Sequence, residues 1–164
     1  MPYWQLFYHL VWTTKNRDPL ILPDVESIIY DLLRTKAIGL GATVFAIGGM
    51  PDHVHVVASI PPKIAVAKFV GQIKAVAATK FNKMDLPYVL YWQQEYGAFS
   101  FDGKRLPNVI AYVQQQKEHH ANQTTIPVLE RHKGQTKWLL REPGPVYAVD
   151  DKTWRAELAS LVKD

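Results

Sequence analysis

His53 and His55 stand one residue apart in Asp52-His53-Val54-His55-Val56. In an extended strand alternate side chains share a face, so both imidazoles point one way while Val54, Val56, Ala58 and Ile60 point the other. Two imidazoles on one strand face can hold a divalent ion. Alone, a His-x-His is a short pattern, and two surface histidines with no common ligand would look the same. A second candidate lies in Pro107 to His120, PNVIAYVQQQKEHH. At helical spacing Tyr112, Gln116 and His119 form one stripe with Asn108 beside it, and Leu106, Val109, Ile110 and Val113 occupy the flank. A phenol with a pKa of about 10 is a weak nucleophile that becomes useful when activated. A glutamine oxygen is a reasonable third ligand beside two imidazoles, completing an N, N, O set with open positions. Without the histidine strand, the same stretch reads as an ordinary amphipathic helix with a solvated glutamine run.

Composition limits what these groups can be. The 164 residues contain no cysteine, which removes disulfides, thiol nucleophiles, iron–sulfur clusters and cysteine-bound zinc, so any metal must sit on nitrogen and oxygen. A formal charge of +4, 12% aromatic residues including five Trp, and a pI near 9.2 lean toward an anionic partner, nucleic acid foremost. Met1 to Leu10 lacks the basic leader of a signal peptide, and no uncharged stretch reaches the ~18 apolar residues of a membrane span. A cytoplasmic protein with no membrane association is expected.

Several elements must position the two constellations. Tyr3 to Thr14 reads as a first strand, broken by Lys15 to Pro19. Asp24 caps a predicted helix with Val25, Ile28, Ile29, Leu32 and Leu33 on one face, ending near Gly39 and Gly41. Ala42 to Ile47 and His53 to Ile60 are expected to form a hairpin, and a second amphipathic helix spans about Ile64 to Met84. Tyr88 to Phe101 reads as one or two strands, and Pro107 opens a third helix running to about His120. The order β-α-β-β-α-β-α predicts an α+β fold, an antiparallel sheet of ferredoxin-like or RRM-like type with helices on one face, plus the extra tyrosine-bearing helix. The histidines then fall on the face that the two long helices leave free. One domain is expected over 1–122, with a C-terminal extension over 123–164 that carries a short amphipathic stretch at Trp154, Leu158 and Leu161.

Taken together, GGMPDHVHVVASIPP and YGAFSFDGKRLPNVIAYVQQQKEHH resemble the IS200/IS605-type single-tyrosine (Y1, HUH) transposases and their REP-associated relatives, over roughly Tyr3 to Asn122. The resemblance implies His53, His55 and Gln116 as metal ligands for Mg²⁺ or Mn²⁺, and Tyr112 as nucleophile. It also implies nicking and rejoining of single-stranded DNA with hairpin ends through a 5′-phosphotyrosine link, by a homodimer in which each tyrosine helix completes the other subunit's histidine site. Lys15, Arg17, Lys104 and Arg105 are candidate phosphate contacts, and Tyr8, Trp12, Trp92 and Tyr96 candidate stacking platforms. Asp52 either orients a histidine or simply makes the turn after Pro51, the turn being the preferred reading. A histidine-triad hydrolase is disfavoured by Val57, where a third histidine belongs. A non-catalytic single-stranded DNA or RNA binding module is the serious rival, and a domesticated DNA-processing enzyme would share the same chemistry.

Overall fold

The computed structural model describes residues 2–134 and Ala156, and the stretch carrying Trp154, Leu158 and Leu161 lies outside the described residues. Packing divides the chain into one compact unit over Met1–Lys133 and a second over Gly134–Asp164. The first unit runs β1 (Phe7–Thr13), α1 (Pro23–Gly39), β2 (Thr43–Met50), β3 (His53–Ser59), α2 (Val66–Asn82), β4 (Gly97–Phe101), α3 (Leu106–Gln114) and α4 (Gln116–Ala121). Two single 3-10 turns, Lys15–Arg17 and Gly103–Arg105, precede α1 and α3.

The four strands form one antiparallel sheet in the order β2-β3-β1-β4. This is the ferredoxin-like order that the element sequence predicts. Alternation decides which residue goes where. Leu10 and Trp12 of β1 and Val54, Val56 and Ala58 of β3 face α1 and α2, whose Val25, Ile29, Leu33, Phe69, Ile73 and Phe81 close the main core. The other residues of the same strands, His9, Val11, His53 and His55, face the opposite side, where α3 lays Tyr112 and Val113 against Ala46 and Val57. All seven residues of β3 are buried, because the strand is covered on both faces.

Four elements differ in extent or boundary from the sequence expectation. The first strand starts at Phe7 rather than Tyr3, α1 is entered through Leu22 with Pro23 in its first turn rather than capped by Asp24, and Tyr88 to Phe101 yields one strand of five residues. Trp92 meets only an isolated bridge with Thr14. The predicted third helix is two, interrupted at Gln115, whose φ of −102° and ψ of 23° leave the helical basin.

Candidate metal and nucleophile site

Two glycines set how closely the pieces of the site approach. Gly48 of β2 pairs with His55 of β3, and a Cβ there would sit 2.0 Å from the Val113 carbonyl oxygen. Only a residue without a side chain lets α3 lie this close beside the histidine strand. Gly97 plays the same part at β4, where a Cβ would meet the Arg131 carbonyl oxygen at 2.0 Å. That close approach seats the segment carrying Glu130.

The result is a buried polar cluster. One oxygen of Glu130 accepts a hydrogen bond from the Tyr112 hydroxyl, which also accepts one from the Ile126 backbone N–H at 3.0 Å. The other oxygen lies 3.2 Å from His55 Nε2, 3.5 Å from His53 Nε2 and 3.8 Å from His120 Nε2. The Tyr112 ring stands edge-on to His55 with centroids 6.2 Å apart and stacks on His119 at 4.8 Å. The predicted strand and helix motifs therefore meet within one chain. Gln116 is also buried on this side at the start of α4, which packs on β2; its amide donates to the Tyr112 carbonyl at 3.3 Å.

Each histidine of the strand has a partner behind it. His53 Nδ1 is 2.7 Å from Asp52 Oδ1, and Arg17 Nε donates to the other Asp52 oxygen at 3.0 Å. Asp52 thus makes the turn and also orients His53. Its hydrogen bond to His53 is the largest cause holding its carboxyl well below the usual carboxylate range. His55 Nδ1 is 2.8 Å from Nε2 of His9, which is wholly buried. Burial pulls the pKa of His9 down to about 3, with the neighbouring His55 adding to the effect. Burial likewise lowers His55 and His120. Burial would raise Glu130, but the adjacent His55 imidazole, the Tyr112 hydrogen bond and the nearby His53 outweigh it, leaving a pKa of about 2. Burial and the Glu130 hydrogen bond raise Tyr112 above the ordinary phenol value.

This donor set fits a divalent cation. His53 Nε2, His55 Nε2, His120 Nε2 and Gln116 Oε1 are all buried without a hydrogen-bond partner. An orphaned buried lone pair costs roughly 1–3 kcal/mol, and a ligand that accepts its electrons recovers that cost. Ligand atoms of His53, His120 and Glu130 lie within 4.8 Å of one another. Imidazole and oxygen donors without sulfur are a set that divalent cations accept.

Sequence reasoning missed His9 and Glu130 as members of this cluster, and left His119 and His120 open between assisting proton transfer and favouring the helix C-terminus; the structure brings His120 to Glu130. His9 carries a readable signal, since it alternates with Leu10 and Trp12 on the strand YHLVW, but only the pairing of β1 with β3 brings it to His55. Glu130 follows Pro127 in an irregular segment with no periodicity to read. Among the predicted phosphate contacts, Lys15, Lys104 and Arg105 are exposed, whereas Arg17 is engaged with Asp52. The stacking candidates Tyr8, Trp12, Trp92 and Tyr96 belong to the helix-side core, and Trp12 is 0% exposed, because alternation turns Tyr8 and Trp12 away from the histidine face.

Similar proteins point the same way. The chain is 36% identical over 77 residues to the ISDra2 transposase TnpA of Deinococcus radiodurans, an alignment covering 47% of this chain and 55% of that protein's length. It is 24% identical over 132 residues to the transposase for insertion sequence element IS200 of Salmonella typhimurium, covering 76% of this chain and 86% of the relative. A crystal structure assigned as a transposase from Deinococcus radiodurans R1 superposes with a TM-score of 0.54 at 25% identity, over 71% of this chain and 95% of that one. The REP-associated tyrosine transposase bound to a REP hairpin shares the fold, with a TM-score of 0.55 at 13% identity over 73% and 74% of the two chains. The family model for IS200-like transposases matches residues 2–116, a span that holds His53, His55, Tyr112 and Gln116 together, and the chain belongs to that family of DNA transposition enzymes.

Proposed function

We propose that the protein nicks and rejoins single-stranded DNA with Tyr112 as nucleophile beside a divalent metal held by His53 and His55. One observation carries this reading: a single carboxylate, Glu130, touches the Tyr112 hydroxyl with one oxygen and faces three imidazole Nε2 atoms with the other. Nucleophile and ligand nitrogens are thus within one carboxylate of each other. Gln116, with its orphaned buried oxygen, is the third ligand in this proposal, and Glu130 and His120 are the further donors at hand. When bound, Mg²⁺ or Mn²⁺ offsets the charge that grows on the scissile phosphate.

The remaining work falls to the chain. Asp52 accepts from His53 Nδ1 and leaves Nε2 bare as a ligand. Glu130 is ionised and accepts the phenolic proton's hydrogen bond, aligning the oxygen that attacks. The Tyr112 oxygen bonds to phosphorus, the bond from phosphorus to the 3′ oxygen breaks, and the proton given up by the phenol ends on the free 3′-OH. The 5′-phosphotyrosine stores the bond for rejoining, so no nucleotide cofactor is needed. Lys15, Lys104 and Arg105 supply exposed positive charge for phosphates. A hairpin-bearing strand is the proposed substrate, by analogy with the structural neighbour bound to a REP hairpin.

Incubating the protein with hairpin-bearing single-stranded DNA and Mg²⁺ or Mn²⁺, then separating on denaturing gels, tests this. Wild type should form a covalent adduct and Tyr112→Phe none. An adduct with the Phe variant removes Tyr112 from the role. Binding without any adduct across a hairpin library favours a non-catalytic single-stranded nucleic-acid module. The resemblance also implies a homodimer with exchanged tyrosine helices, whereas the contact of Tyr112 with His55 inside one chain supplies the same juxtaposition without exchange. Mixing His55→Ala with Tyr112→Phe protein separates the two: restored nicking means shared sites, and its absence means each chain uses its own, the outcome expected from the intrachain contact.

A further inference from the structure

His53 and His55 are neighbours on one strand face, yet the nitrogens behind them end on different chemistry. Behind His53 stands a carboxylate, which only accepts, so the His53 proton stays on Nδ1 and Nε2 keeps its lone pair. Behind His55 stands another imidazole, with Nε2 of His9 at 2.8 Å from His55 Nδ1 and the rings 5.0 Å apart at 29°. An imidazole can give or accept at that nitrogen. We propose that His9 is the positioning residue of His55, a reversible hydrogen-bond partner that lets the His55 proton sit either on Nε2 toward Glu130 or on Nδ1, leaving Nε2 bare for a divalent cation. The inference rests on the metal-site reading above and extends it.

The two states follow from counting protons. In the first, His9 Nε2–H donates to His55 Nδ1, and His55 Nε2–H turns toward Glu130 Oε2, 3.2 Å away. In the second, the proton of His9 Nε2 has moved to His55 Nδ1, which now donates to His9 Nε2. The His55 Nε2 proton is released to solvent and His9 Nδ1 takes one up from solvent as the pocket opens, so no proton need travel from one end of the buried pair to the other. Each state has two ring protons and the same charge. Nothing further back chooses between them, because His9 Nδ1 is buried and has no hydrogen-bond partner. What lies at the Nε2 end of His55 therefore sets the state: the carboxylate favours the first, a cation the second. Both rings are carried by adjacent strands of the sheet, β1 and β3, so the pair is held by backbone pairing on either side rather than by a loop.

A packing role is the competing account, since the His9 ring also lies 5.9 Å from Phe99. His9→Phe keeps a ring of similar shape and loses the hydrogen bond. His9→Gln loses the ring and keeps a group that can donate or accept near the same place. Calorimetric titration of the full chain with Mn²⁺ should show His9→Phe binding about 10- to 100-fold more weakly than wild type. His9→Gln should fall within about threefold, on the reading that its amide replaces what the imidazole supplies. Equal losses in Phe and Gln, or wild-type affinity in Phe, overturn the proposal in favour of packing. Nitrogen-15 spectra of histidine-labelled protein give a second readout independent of activity. Coupling across the His9–His55 hydrogen bond should show His9 as donor without metal and His55 as donor with Mg²⁺. An unchanged donor, with His53 and His55 shifts that do respond to Mg²⁺, overturns the positioning role alone. Shifts of both rings indifferent to Mg²⁺ and Mn²⁺ affinity unaltered in His55→Ala instead overturn the metal reading beneath it.

Discussion

The two faces of one sheet are built from alternate residues of the same strands, and they handle buried polarity in opposite ways. On the helix side, Leu10, Trp12, Val54, Val56 and Ala58 meet apolar side chains of α1 and α2, and burial of hydrocarbon stabilises the fold. On the histidine side, the intervening residues His9, Thr13, His53 and His55 are just as buried. Among the described residues, six of the eight buried side-chain atoms lacking a hydrogen-bond partner belong to this side, on His9, Thr13, His53, His55, Gln116 and His120. Such atoms cost stability, so the helix face has to offset what the histidine face spends on holding ligand atoms ready. A single-residue register shift in β3 would exchange the two roles completely.

The largest expected contrast comes from deleting one large side chain on each face. Phe69, 0% exposed between α2 and the sheet, should cost about 3–5 kcal/mol as Phe69→Ala, seen as a lower urea midpoint at unchanged slope. His55→Leu strands the wholly buried His9 Nε2 and takes one imidazole from Glu130, so it should lower stability by about 1–3 kcal/mol, less than Phe69→Ala, yet abolish Mn²⁺ binding and adduct formation. If His55→Leu unfolds the protein as readily as Phe69→Ala, the division of labour between the faces is wrong.

Acid should act through the histidine face by a few kcal/mol. His9 is held near pKa 3 in the folded chain against about 6.5 when unfolded, so below pH 6.5 the unfolded state takes up a proton that the folded state refuses. Stability then falls as pH drops from about 6.5 toward 3. Glu130, lowered to about 2, adds a loss in the same direction once pH passes below its unfolded value near 4.5. Urea midpoints at pH 7, 5 and 4 should therefore decline for wild type, and His9→Phe should flatten the upper part of that decline. A parallel decline in both proteins would assign the acid sensitivity elsewhere.

How far the sequence discloses this molecule depends on whether the cause is local. Alternation along HVHVVAS puts His53 and His55 opposite the core without any knowledge of the neighbouring strands. Helical spacing puts Tyr112 and Gln116 on one side, although the break at Gln115 leaves them in separate helices, and no residue there is a helix breaker. His9 is different. Its face is legible from its own strand, but its contact with His55 depends on β1 lying between β3 and β4, a pairing that tertiary packing decides. Glu130 is hidden more deeply, because its place is fixed by Gly97, thirty-three positions earlier, admitting the Arg131 backbone. The amphipathic tail expectation at Trp154, Leu158 and Leu161 lies outside the described residues.

The smallest effect concerns where the histidine face ends. Lys104 and Arg17 are both exposed cations near the ends of strands, and both fit the sequence pattern of a phosphate contact. Arg17 differs in being tied to Asp52 at 3.0 Å, and through it to His53, with 53% of its side chain exposed. An exposed ion pair of this kind contributes under about 1 kcal/mol, so neither substitution should change folding measurably. Lys104→Ala should weaken single-stranded DNA uniformly across sequences and make the dependence of log affinity on log salt shallower by about 0.7, with Mn²⁺ affinity unchanged. Arg17→Ala should make the same change in salt slope if Arg17 also meets phosphate, and should shift Mn²⁺ affinity by up to about threefold, because Asp52 loses the partner that fixes its carboxylate behind His53. An Arg17→Ala protein with wild-type Mn²⁺ affinity would place the edge of the metal site at Asp52, and one that also keeps the wild-type salt slope would leave the Lys15–Arg17 turn to the surface alone.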